Sequence, residues 1–417
     1  MHAVLLQMFS GFLCHTTGQR TCYCSIVSSI QVTIRGAEGY FIVKHFIDQQ
    51  TAASRNILSL QCLASRIGRV AVIEPWLTNS YYGFDLHSYD SSNETIRFRD
   101  LNDIVKWNRF SSSFHYNPLM PFDYFLKNVQ NNNTKDLILV EYNCATGSKD
   151  ALDYGRAFCD KFGLKLVKHI CFDFTRTVTF SHFKRDVYSG YEPSEVVVLF
   201  SQYGGIERDK PENSRKSYRV FMSGTQCYTL DYHHQGLYPS PSVMSDADKY
   251  LRKYMNGTKT YISLMVRIEK SLKCTGQFTP EKARKGAMTC VQNAIKQWKR
   301  VRKQYKIYST FLTVDVGVFG SATVKKAKHY TMQAAEYLFS EIYSGTLSLK
   351  MWEQTFTTVG KGRTKSPAYI AMMQKVIAAK GSVVITAGGG NFLRSARELH
   401  YELNHSPQVV TLQSDCS

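Results

Sequence analysis

The chain has 417 residues, 43% of them hydrophobic and 13% aromatic, which is a globular composition on a chain longer than one typical domain. Its formal charge of +19 arises from 52 basic and 33 acidic residues dispersed along the sequence, and a dispersed surplus argues against a dedicated nucleic-acid-binding protein. C-x-x-C, H-E-x-x-H and G-x-S-x-G strings are all missing, so the common zinc, metalloprotease and serine-hydrolase signatures have no support.

Taken in order, residues 1–34 contain one apolar stretch, Ala3–Cys14, with no basic residue before it. It is too short to span a bilayer and lacks the charged start of a signal peptide. The segment reads as a degenerate anchor or signal, or as an artefact of the gene model. No later segment reaches the length of a membrane span. The first half, residues 35–238, reads as one α/β domain. Strands are expected at Tyr40–Phe46, Arg69–Ile73, Asp136–Tyr142, Lys165–Cys171 and Glu195–Phe200, and helices at Ala53–Ile67 and Ala151–Phe162, each with an apolar face. Segments 83–135 and 201–235 lack periodicity and read as long loops suited to acceptor recognition.

The proline- and serine-rich string Gly236–Val243 reads as a linker. Ser245 and Asp248 resemble a capping box that opens a helix. The second domain, residues 239–417, then alternates strand 260–266, helix 280–305, strand 306–314, helices 323–343 and 367–379, strand 382–387, helix 391–403 and strand 407–412. Alternation of this kind implies right-handed crossovers and a parallel sheet. In such sheets ligands bind beyond the carboxyl ends of the strands.

Those strand ends carry the candidate chemistry. Arg267 follows the apolar run Tyr261–Val266. A guanidinium there can grip two phosphate oxygens and stabilise a departing diphosphate, or it simply pairs with Glu269. Asp315 ends the next strand, before Gly317, Gly320 and Ser321; it is placed to bind ribose hydroxyls or to serve as a turn aspartate. Gly388-Gly389-Gly390-Asn391 joins a strand to a helix. Glycines let phosphate oxygens reach backbone N–H groups at a helix start, with Asn391 as the expected N-cap. A plain tight turn accounts for the same string. Arg394 and Arg397 add charge on the first turns. In the first half, Glu74 ends a strand in Glu74-Pro75-Trp76, where a carboxylate can act as general base on an acceptor hydroxyl or merely pair. The basic string Lys296–Lys306 fits the solvated face of a helix whose other face carries Ala294, Trp298, Val301 and Tyr305.

Eleven cysteines and four N-x-S/T sequons, at Asn93, Asn132, Asn256 and Asn404, point to a secretory-pathway lumen, endoplasmic reticulum or Golgi. Cys274–Cys290 and Cys144–Cys159 are candidate pairs by proximity.

Five strings in this order resemble the GDP-fucose-dependent O-fucosyltransferase superfamily, and within that fold a group of invertebrate relatives. They are Gln49–Ala64, Gly68–Trp76, the strand ending at Arg267, Phe311–Ser321 and Ala387–Phe392, and the resemblance in order and spacing extends over roughly residues 40–412. The resemblance implies an α/β, GT-B-like architecture of two Rossmann-like domains with mainly parallel sheets facing across a cleft. It implies an inverting glycosyltransferase with no obligatory cofactor and no metal. Such an enzyme moves a sugar, fucose foremost, from GDP-fucose or another nucleotide sugar to a hydroxyl of a protein or glycan. Arg267 and Glu74 would be catalytic. Asn56, Asp315, Ser321, Gly388, Gly389, Gly390, Asn391, Phe392 and Arg394 would hold the nucleotide sugar. Asn56 keeps the family's asparagine, but Thr51, Ala52 and Ala53 replace its glycines, and Met265 stands where its histidine does. A second reading is therefore a catalytically silent relative that binds glycans or protein partners. A third is a basic nucleic-acid-binding protein.

Overall fold

The computed structural model describes residues 39–412 apart from 69, 79–80, 85, 87–95, 132–135, 143–147, 173–177, 194, 204–205, 208–219, 224–226, 228–237, 259, 269–278, 316–327, 358, 360–365, 389 and 405–406. The 1–34 segment lies outside them. Residues Glu38–Ser417 form one compact unit.

The first half of this unit is built on a six-stranded parallel sheet. Its strands are β1 (Gly39–Val43), β2 (Val70–Ile73), β3 (Leu119–Met120), β4 (Asp136–Tyr142), β5 (Lys165–Phe172) and β6 (Val196–Phe200), in the spatial order β3-β2-β1-β6-β4-β5. The central strands, such as Val-Val-Val-Leu-Phe in β6, are apolar at every position and wholly buried, as strands covered on both faces must be. Helix α1 (Gln50–Ile67) connects this sheet to a small antiparallel one, and α2 (Ser148–Phe162) crosses from β4 to β5. Phe84, Phe122, Phe125, Phe158 and Phe162 pack ring against ring beneath it.

Three expectations for this half are corrected. The strand expected at Tyr40–Phe46 breaks at Lys44, and His45–Gln49 joins the antiparallel sheet with Tyr81–Gly83. The expected loop 83–135 contains helices Phe98–Leu101, Ile104–Ser113 and Phe122–Asn131. They are short, and Ile104–Ser113 buries only Trp107 and Ser111, too few positions to register as a period. Its cap was readable, since the Asp103 carboxylate accepts from the backbone N–H of Val105 and Lys106 at 3.1 Å each. The predicted cysteine pairs do not form. Cys159 and Cys290 are free, whereas Cys62 in α1 bonds Cys227, 165 residues away, with Cα atoms 5.8 Å apart. Cys144 and Cys274, the expected partners, lie outside the described residues. Cys171 is also disulfide-bonded.

The expected linker is a tied seam. Ser240 caps α3 (Pro241–Tyr254) by accepting from Val243 N–H at 3.3 Å, with Pro241 opening the helix, so Ser245 lies inside the helix rather than at its cap. The Ser240 N–H donates to Leu101 C=O at 2.9 Å and its hydroxyl to Asp100 C=O at 2.6 Å. The second half follows on a four-stranded parallel sheet of β7 (Ile262–Arg267), β8 (Thr310–Asp315), β9 (Val383–Ala387) and β10 (Gln408–Leu412), ordered β8-β7-β9-β10. Its helices are α4 (Pro280–Tyr305), α5 (Lys328–Tyr343), α6 (Pro367–Ala379) and α7 (Asn391–Leu403). A further helix, Leu349–Thr357, was not expected. Trp298 Nε1 donates to Thr310 Oγ1 at 2.9 Å and fixes α4 to one sheet face. Tyr261 Oη donates to Ile377 C=O at 2.6 Å and fixes α6 to the other.

Candidate active site

Parallel pairing brings the second-half candidates together. Arg267 and Asp315 end adjacent strands and are register partners, with Arg267 Nε donating to Asp315 Oδ2 at 3.2 Å. Arg267 is thus held by Asp315; Glu269, the alternative partner, lies outside the described residues. The arginine side chain is 10% exposed and the aspartate 33%, so the pair sits at the mouth of the sheet rather than in its core. A charge-assisted bond to Nε sets the plane of the guanidinium.

On the other side of β7, Gly388 follows β9 with φ +90°. A Cβ there would come within 2.8 Å of the Arg267 carbonyl oxygen and 3.1 Å of its Cβ. The turn therefore lies directly against Arg267, and only glycine fits. Gly390, at φ +117°, is the residue that precedes α7 and takes the cap position. This corrects the assignment of Asn391 as N-cap, because Asn391 is already helical. The first α7 hydrogen bond runs from Arg394 N–H to Gly390 C=O at 3.2 Å, which leaves the preceding N–H groups directed at the strand ends. Phe392 is half-buried and Arg394 exposed. Gly389, Ser321 and the Asn391 side chain lie outside what is described.

Alternation along the strands supplies a floor. Residues two apart share a face, so Met265, Thr313 and Thr386, which are paired in register, lie one row below Arg267, Asp315 and Gly388. The Thr313 and Thr386 hydroxyls are buried without a hydrogen-bond partner among the described residues. Sequence reading passed over both because they interrupt apolar runs. It also passed over Lys375 in α6, whose ammonium lies 5.0 Å from the centre of the Phe392 ring.

The first-half candidates lie apart from this cluster. Asn56 is buried in α1, and α1 packs against α7, so the helix bearing Asn56 touches the helix that follows the glycine turn. Glu74 follows β2 in the other sheet. Arg99 grips both of its carboxylate oxygens, one at 2.9 Å, and the Glu74 side chain has no exposed surface. Burial holds the Glu74 carboxyl above its ordinary value, and the Arg99 hydrogen bonds and charge offset only part of that rise. Among the described residues no group of three potential metal ligands occurs, and no helix is long and apolar enough to cross a membrane.

No protein-family model matches the chain, and no curated protein matches it by sequence. Solved structures do match. The crystal structure of POFUT1 in complex with GDP-fucose (crystal form I) aligns with a TM-score of 0.53 and 11% identity, over 91% of this chain and 98% of that one. POFUT1 with GDP (crystal form III) aligns with a TM-score of 0.51 and 11% identity, over 90% and 99%. The apo form aligns with the same score and identity over 89% and 98%. The fold is α/β and GT-B-like, the fold of the POFUT1 structures.

Proposed function

We propose that the chain is an inverting, metal-independent glycosyltransferase that moves a sugar, fucose foremost, from a nucleoside-diphosphate sugar to a hydroxyl of a protein or glycan. The observation that carries this reading is the convergence of Arg267, Asp315 and Gly388 on three adjacent strand ends, at the start of α7. The fold shared with POFUT1, whose structures contain GDP-fucose or GDP, supports the donor class. Residues 239–417 would hold the donor and residues 35–238 the acceptor. In the reaction an acceptor hydroxyl oxygen attacks the anomeric carbon as its bond to the diphosphate breaks, and the hydroxyl proton passes to a base, for which Glu74 is the candidate, directly or through water. Arg267, oriented by Asp315, and the α7 N–H groups would receive the charge that develops on the leaving oxygen. The Cys62–Cys227 disulfide supports an oxidising compartment such as the secretory lumen.

The enclosure of Glu74 by Arg99 favours a second reading, in which the crevice binds nucleotide or glycan without turnover, because an engaged and buried carboxylate takes no proton from an acceptor. Thermal unfolding with GDP and with UDP tests the donor site. We expect one diphosphate to stabilise the protein, by about 2.7 kcal/mol at a hundred times its Kd, and Arg267→Ala to abolish the effect. Absence of stabilisation by either nucleotide overturns the reading. Sugar-nucleotide turnover separates an active enzyme from a silent one.

A further inference from the structure

Lys375 is the least expected side chain of the second half. It lies within the apolar run of α6, between Met373 and Val376, both fully buried, and is itself 1% exposed. Burying an ammonium costs several kcal/mol even after relaxation. A methionine would fill the same volume without that penalty, and α6 already uses Met372 and Met373 in this way. The ammonium stands over the ring of Phe392, 5.0 Å from its centre, a cation–π contact that strengthens when water is excluded. Phe392 is two residues beyond Gly390, in the first turn of α7.

We propose that Lys375 is a positioning residue of the crevice: its buried ammonium clamps Phe392, fixes the Gly388–Asn391 turn against Arg267, and adds positive charge behind the α7 amino terminus where a diphosphate would sit. This rests on the donor-site reading above. On α3, Asp246 is bonded to Tyr369 and Lys249, and Asp248 to Lys380. Arg267 on β7 and Asp315 on β8 hold each other. On α7, Arg394 points to solvent, Arg397 is half-buried, His400 is bonded to Ala379, and Glu402 stands at the far end. Glu398 is the group whose charge bears on Lys375 and supports its protonated form, while burial pushes the ammonium down to about 8. The clamp therefore carries its charge at neutral pH and loses it in mildly basic solution, where Arg267 keeps its own.

The test is the affinity of the full chain for GDP and UDP by calorimetry between pH 7 and pH 9. Wild-type affinity is expected to fall about fivefold or more over that range, the size of a charge at a helix terminus. Lys375→Met should bind that much more weakly at pH 7, with no further loss by pH 9 and unchanged far-ultraviolet circular dichroism. Lys375→Arg should bind well and hold its affinity at pH 9; if the methionine variant does not fold, this flat profile decides the question alone. Equal affinity and equal slope in wild type and either variant overturn the proposal and leave the donor site standing. If no diphosphate binds the wild type at any pH, the donor reading itself fails and takes the proposal with it.

Discussion

Each parallel sheet ends in an arginine–carboxylate pair, and the two pairs are built to opposite purposes. In the first half Arg99 reaches 25 residues back along the chain to grip both oxygens of Glu74, and the carboxylate is sealed from solvent. In the second half Asp315 accepts from Nε of Arg267 and keeps a third of its own side-chain surface exposed. The sealed pair lies beside the aromatic core, with Trp76 packed on Phe84 and Phe122. The open pair faces a glycine turn that comes within contact of the arginine backbone. A buried pair is poor grounds for inferring stability, because desolvation offsets the attraction, but breaking one is costly. A partly exposed pair at a helix start retains the means to bind an anion. The contrast separates a strut from a candidate site.

Removing Arg99 should give the largest effect. Arg99→Ala strands a fully enclosed carboxylate and is expected to lower unfolding free energy by about 3–5 kcal/mol in urea titration. Glu74→Gln, which keeps the shape and removes the charge, should cost less. If sugar-nucleotide turnover is found, the same Glu74→Gln variant decides the carboxylate's role. Retained turnover makes Glu74 a strut, and loss of turnover in a folded protein makes it the base. An Arg99→Ala protein as stable as wild type would erase the distinction between the two pairs.

Gly388→Ala comes next. A Cβ at φ +90° meets the Arg267 carbonyl oxygen at 2.8 Å, so backbone strain and a backbone clash add, and a loss of about 2–3 kcal/mol is expected. The distortion falls on Arg267, so nucleotide-induced stabilisation should drop along with stability. A variant that loses stability yet gains as much from nucleotide as wild type does would show that the turn is a plain connector.

The second half was far more legible in the sequence than the first, for reasons visible in particular residues. Helices Pro280–Tyr305, Pro367–Ala379 and Asn391–Leu403 occupy the expected spans. Prolines at 280 and 367 and the glycines before Asn391 mark their starts, and long apolar faces mark their extent. Arg267, Asp315 and Gly388 stand where the apolar runs stop, so parallel pairing alone makes them neighbours. In the first half, aromatic side chains from short elements bury themselves against residues far away in sequence. Trp107 Nε1 donates to Gln61 at 2.9 Å across 46 positions, and no local pattern encodes such a contact. The same limit hid Arg99 as the partner of Glu74, Cys227 as the partner of Cys62, and the meeting of Lys375 with Phe392. Of the sequons, Asn256 is exposed in a turn, whereas Asn404 donates its amide to Ala379 C=O at 2.8 Å and so acts as a structural residue rather than a free acceptor.

Acid should separate the two halves with the smallest and most graded effect. His400 is wholly buried; its Nδ1–H donates to Ala379 C=O at 2.8 Å and its Nε2 accepts from Gln408 N–H at 3.1 Å. This arrangement requires the neutral ring, which ties α6, α7 and β10 together. Burial holds its pKa below the ordinary value for histidine. The unfolded chain therefore binds the proton first. The stabilising contribution of His400 is complete above about pH 6.5 and declines below it, by at most about 1.4 kcal/mol per pH unit, until the folded-state pKa is passed. Urea titrations at pH 7 and pH 5.5 should show a steeper decline for wild type than for His400→Leu. Hydrogen exchange at pH 5.5 should open the α7 and β10 amides ahead of those of β1 and β6. If the first sheet exchanges first, or if the leucine variant keeps the wild-type slope, the histidine does not hold the second sheet together, and its acid sensitivity must come from the carboxylates instead.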